Sequence, residues 1–282
     1  MARDPRASKI DDDPFDRLGK RRSQDSPEQQ RIRVVIQGQP GNPFEPFMRS
    51  FFDVGGSPVN RHTGSMFHFS EREVKDLAMA TGAFALAIAI VMHGGFFGMM
   101  SASIQSIIAS ALFSLVALAP AFIFHELAHK FMAKHYGCWA EFRADPRGLK
   151  IGLAIALIIG FVFMAPGAVM VAGRVTKRQN GIIAIVGPIT NIVLFIIGLV
   201  GGGVLIGIIP SQVVADIVVF WLYGNAILAA FNMLPFGPLD GAKVKAWSEP
   251  AFWSMIAICV TLVISVFGGY AFELLQMVAT TV

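Results

Sequence analysis

Residues 77–130, LAMATGAFALAIAIVMHGGFFGMMSASIQSIIASALFSLVALAPAFIFHELAHK, carry no Asp, Glu, Lys or Arg over their first 49 positions and then reach His125-Glu126-Leu127-Ala128-His129. A bilayer needs only about 20 apolar residues in a helix, so the run is long enough to cross, turn and cross back. Gly94, Gly95, Gly98 and Ser101–Ser103 mark the turn, giving one helix over about 74–97 and a second over about 103–136. The motif therefore lies on the second membrane helix. Residues i and i+4 share a helix face and can offer two imidazoles to one tetrahedral metal. His125 and His129 are candidate ligands. Glu126 projects about 100° round the helix from His125, beside such a metal, where a carboxylate can take a proton from water. It is the candidate general base. An ionisable Glu between histidines is costly near a bilayer unless something compensates it. Pro120, five residues before His125, should bend the helix.

Outward from this stretch the chain stays apolar. With 54% hydrophobic and 15% charged residues among 282, and a mean hydropathy of +0.60, it does not have the composition of a soluble domain. The expected fold class is an all-α polytopic membrane protein. Residues 1–76 hold 13 of the 23 Lys and Arg and 12 of the 19 Asp and Glu, so this part is a separate polar region. Residues 1–30 read as a disordered tail, 31–69 as a cytoplasmic or membrane-surface segment, and 70–282 as the membrane-embedded domain. Ser70 with Glu73 is a capping-box pattern opening the first helix. Basic residues beyond 76 sit in short gaps between apolar runs, which suits membrane orientation better than nucleic acid. Cys138 and Cys259 are too few and too far apart in sequence for a disulfide framework or thiolate metal site. No secretory signal peptide opens the chain.

Further apolar runs cover about 151–172, 180–209, 213–235 and 251–278. Two His and a general base leave a metal short of a third protein ligand. Asp240, at the boundary where the run from 213 ends, is the best candidate. For Asp240 to meet the histidines at one depth, an odd number of crossings must separate the two helices. The run 180–209 supplies one, so 151–172 must supply none: it is a re-entrant helix/strand segment, interrupted at Pro166-Gly167. About five crossings result. Lys and Arg then all fall on one side, which the positive-inside rule makes the cytoplasm. The expected location is the cell membrane, with the N-terminus and catalytic centre toward the cytoplasm.

Three motifs occur in order: His125-Glu126-Leu127-Ala128-His129, Gly187-Pro188-Ile189-Thr190-Asn191, and Asn232 through Leu239-Asp240-Gly241. Together they resemble the site-2 protease family of intramembrane zinc metalloproteases, archaeal members above all, over about residues 77–250. The resemblance implies Zn2+ held by His125, His129 and Asp240, with Glu126 activating water to cleave a peptide bond in or near a transmembrane segment of a membrane-anchored protein substrate. It also implies a substrate-binding role for Asn191; the alternative for this residue is an interhelical hydrogen bond. The expected partners are that substrate and the lipid bilayer, with no nucleic acid and no stated oligomeric state. The rival from another class is a non-catalytic membrane client-binding or transport protein that retains the fold. The second rival is a membrane zinc protease acting on soluble peptides.

Overall fold

The structure, a computed structural model, describes residues 65–162 and 166–281. The expected tail 1–30 and most of the 31–69 segment lie outside these residues. Helices α1 (Glu71–Met92), α2 (Gly95–Ser101), α3 (Ile104–Ala117) and α4 (Ala119–His135) fill the decisive stretch and its flanks. Strand β1 (Trp139–Ala144), helix α5 (Pro146–Ile159) and strand β2 (Gly167–Ala172) follow. The chain continues through α6 (Lys177–Ile208), α7 (Gln212–Asn232), α8 (Asp240–Trp247), α9 (Glu249–Phe267) and α10 (Tyr270–Thr280).

Five helical segments among the described residues are long and apolar enough to cross a membrane: α1, the α3–α4 pair, α6, α7 and α9. The protein is an all-α polytopic membrane protein, and the 151–172 run is the expected helix and strand rather than a crossing. The second helix is broken rather than only bent. It is interrupted at Leu118 (φ −122°, ψ −33°), and Pro120 lies in the first turn of α4, where its missing N–H leaves no intrahelical bond unmade. The last apolar run is likewise divided, at Gly268-Gly269, where Gly269 has φ 85°.

Helix α6 is the centre of the bundle, touching α4, α7, α8 and α10. Small residues line the contacts: Ala80, Ala87, Ala89, Ala117, Ala121, Ala226 and Ala229 are fully buried. Large side chains such as Phe97, Ile158, Ile197 and Phe267 face outward. This is the distribution expected where lipid tails are as apolar as Leu, so close van der Waals approach rather than burial from water drives helix association. Gly198 and Gly202, one turn apart on α6, lie against Trp221 and Val218 of α7, where an added Cβ would come within 2.4 Å of each side chain.

Ser70 caps α1 as its spacing to Glu73 predicts, accepting the Glu73 N–H at 3.2 Å. The carboxylate of Glu73 is used elsewhere. It pairs with Lys130, both side chains being wholly buried, and accepts the Phe142 N–H of β1 at 3.0 Å. Lys130 also donates to the His68 carbonyl at 2.8 Å and lies 3.5 Å above the Phe69 ring. Arg143 and Asp145 are built into the structure. Arg143 reaches Glu141 at 2.6 Å, and Asp145 caps α5. Removing one partner of a buried pair leaves the other uncompensated, so Lys130→Met is expected to destabilise the fold by about 3–5 kcal/mol. Thermal unfolding in detergent measures this; an unchanged midpoint would show that the pair holds nothing.

Candidate metal centre

Asp240 and the two histidines come from opposite ends of the sequence motifs and meet on one side of α6. His125 and His129 lie one turn apart on α4, while Asp240 opens α8 just after the turn that follows α7. The Asp240 Oδ2 atom is 3.3 Å from His125 Nε2 and 3.0 Å from His129 Nε2. The two Nε2 atoms are 3.1 Å apart. Ligand atoms about 2.0–2.1 Å from a tetrahedral zinc lie about 3.3 Å from one another, so the separations suit one small cation.

Hydrogen bonds behind the rings decide which way their protons face. His129 Nδ1 lies 2.6 Å from the Ile183 carbonyl of α6. A carbonyl can only accept, so Nδ1 carries the proton and Nε2 presents a lone pair. Nδ1 of His125 lies 2.6 Å from Asn191 Oδ1. Neutral rings so oriented turn two nitrogen lone pairs and a carboxylate oxygen toward a common point. Three acceptors at these distances repel one another without a cation between them, and neutral imidazole with carboxylate is a zinc donor set. These three residues form a buried group that could hold a metal ion.

The other Asp240 oxygen, Oδ1, accepts from Lys243 Nζ at 3.1 Å, fixing the carboxylate's rotation. The positive charge of Lys243 favours the ionised form of this buried carboxylate. The sequence signal for this contact is the i+3 spacing of Lys243 from Asp240 at a helix start.

Glu126 is half-buried, unlike the three buried residues beside it, and its carboxylate lies near the Val169 N–H of β2. The register explains that contact. Trp139↔Ala172 and Ala144↔Gly167 pair antiparallel, and the Asp145 N–H donates to the Pro166 carbonyl in the same register. Hydrogen-bonded and open pairs alternate in such a ladder. Arg143↔Ala168 is therefore a bonded pair, while Phe142↔Val169 and Ala140↔Val171 are open pairs. The N–H groups of Phe142 and Val169 point away from the partner strand. Glu73 takes the first, and Glu126 lies near the second.

Asn191, expected to meet substrate, is fully buried and turned toward His125. Its amide nitrogen donates to the Ala121 carbonyl and to Asn225 Oδ1, both at 3.0 Å. Asn225 had no sequence signal beyond being a polar residue within an apolar run. Gly187 of α6 leaves room for both rings: a Cβ there would lie 2.4 Å from His129 Nε2 and 2.7 Å from His125 Cε1.

Comparison with known proteins follows the same chemistry. The chain is 38% identical over 195 residues to "Putative zinc metalloprotease MJ0611" of Methanocaldococcus jannaschii, covering 69% of this chain and 93% of that protein. It is 27% identical over 148 residues to "Putative zinc metalloprotease YwhC" of Bacillus subtilis, covering 46% of this chain and 66% of the relative. No family model and no solved structure matches the chain.

Proposed function

Because the chain belongs to the zinc metalloprotease family of its Methanocaldococcus relative, we propose that it is an intramembrane protease of the site-2 type. It would hydrolyse peptide bonds in or near transmembrane segments of membrane-anchored proteins. The observation that carries this reading is the place of the buried His125, His129 and Asp240 group among helices apolar enough to cross a membrane. In this reading residues 70–282 are the protease domain, in the cell membrane with the site toward the cytoplasm.

His125, His129 and Asp240 would hold the zinc, whose Lewis acidity polarises a carbonyl and makes water easier to deprotonate. Glu126, partly open to solvent, takes a proton from the attacking water on a carboxylate oxygen and returns it to the leaving amide nitrogen. Lys243 keeps Asp240 from rotating. A substrate helix must unwind to expose its backbone, and the outward N–H and carbonyl of Val171 suit an extended segment added as a third strand. Glu73 already occupies the corresponding N–H on β1, which directs such a segment to the β2 side.

Val171→Pro tests this pairing. It removes an outward N–H without touching a bonded pair of the β1–β2 ladder or the contact between Glu126 and Val169. Losing one such bond is expected to lower kcat/KM on a membrane-anchored substrate about tenfold, with zinc retained. Unchanged kinetics would argue against strand addition.

The reading as a whole is tested with detergent-purified protein given either a membrane-anchored helix or a soluble peptide of the same sequence. Metal-dependent cleavage of the anchored helix alone supports it. Equal cleavage of both would favour a protease of soluble peptides, and bound zinc with no cleavage of either would favour a client-binding protein.

A further inference from the structure

Behind the metal centre runs a chain of side-chain amides whose orientations are fixed from the far end. Asn225, wholly buried on α7, donates its Nδ2 to the Trp221 carbonyl at 2.9 Å. Since a backbone carbonyl accepts only, this sets the amide's sense, and Asn225 Oδ1 must face Asn191. Asn191 Nδ2 then donates to Asn225 Oδ1 and to the Ala121 carbonyl, each at 3.0 Å. Both of its amide protons are used there. Oδ1 of Asn191 is left to accept from His125 Nδ1 at 2.6 Å.

We infer that Asn225 is a positioning residue for the metal centre, acting through Asn191 to hold His125 with its Nδ1 proton inward and its Nε2 lone pair toward the metal. The inference rests on the zinc reading proposed above. Without Asn225, the Asn191 amide keeps only the Ala121 carbonyl to set its sense and is held less firmly against a flip. A flipped amide offers its NH2 to Nδ1, which favours the tautomer carrying the proton on Nε2, where it blocks ligation. Partners behind metal-binding histidines act in this way, and their loss typically weakens metal binding about 10–100-fold. His129 has no need of such a chain, because the Ile183 carbonyl faces its Nδ1 directly. The three helices α4, α6 and α7 are thereby tied to one ring orientation.

The test measures zinc affinity of the full chain in detergent by chelator competition for the native protein, Asn191→Leu, Asn225→Leu and the double variant. The thermal midpoint of each metal-free form is recorded alongside, with Ser114→Ala as a control that removes a buried hydroxyl from α3. Asn225→Leu is expected to lose about 10–100-fold in zinc affinity. The double variant should be no weaker than Asn191→Leu, because residues acting in series are not additive. Native affinity in Asn225→Leu, or losses that add, would overturn the inference while leaving the zinc reading intact. A native protein that binds no zinc would overturn both. Should Asn225→Leu fail to fold, the histidine-labelled native protein loaded with cadmium still decides. Coupling of the metal to His125 Nε2 with the Nδ1 proton retained supports the inference, and coupling through Nδ1 overturns it.

Discussion

Replacing Glu126 with Gln is expected to lower cleavage of a membrane-anchored substrate by about 10²–10⁴-fold while bound zinc stays at the native level. The two side chains have nearly the same shape, so packing beside β2 is preserved. A carboxamide, however, cannot take a proton from water at neutral pH. Glu126 is not among the atoms that converge between His125, His129 and Asp240, so the change should not reach the metal. Metal analysis and initial rates on the same preparation check both halves. Native-like cleavage would remove Glu126 from the chemistry, and loss of zinc would make it a structural support of the site.

Gly187→Ala should act in the opposite way, through the metal and not the base. A methyl at this position would sit 2.4 Å from His129 Nε2, 2.5 Å from His129 Cε1 and 2.7 Å from His125 Cε1. Neither ring can retreat freely, since Ile183 and Asn191 hold their far sides at 2.6 Å. Helix α6 must therefore shift, or the donor atoms must leave positions that metal ligation tolerates to only about 0.2 Å. Zinc affinity is expected to fall at least about 100-fold, and cleavage with it, for a folding cost of about 1–3 kcal/mol. Gly201→Ala on the same helix has nothing within 4 Å of the new Cβ and should leave both unchanged. Chelator competition on the pair separates local crowding of the rings from a general intolerance of α6 to alanine.

The membrane fold was legible because its signals are local and long. Forty-nine uncharged residues need no tertiary contact to be read as membrane-spanning, and Pro166-Gly167 marks a break whatever surrounds it. The non-crossing 151–172 run was legible for a less local reason: only that choice brings Asp240 to the depth of the histidines and leaves the basic residues on one side. The breaks at Leu118 and Gly268-Gly269 were missed as helix ends, since a Pro or Gly pair in an apolar run marks strain without saying whether the helix bends or stops. Glu73 is marked as half of a helix cap by its spacing to Ser70. It turns inward because the buried Lys130 ammonium and the outward Phe142 N–H need a partner more than the helix start does, water being able to serve the latter.

The sequence by itself determined the apolar helices, the i, i+4 face that carries His125 and His129, and the identity of the acidic third member of the group, Asp240. Tertiary structure alone decided how these groups are aimed. Asn225 is an unremarkable amide in an apolar run until α7 packs on α6 and places it behind Asn191. Gly187 is one glycine of 28 until two imidazoles occupy the space where its side chain would be. Val169 turns its N–H outward, on the side of Glu126, because the β1–β2 register makes it an open pair, and a one-residue slip would turn that group inward. Periodicity along a chain fixes which residues share a face, whereas the direction of a hydrogen bond and the room for a methyl group depend on what another segment brings within about 3 Å.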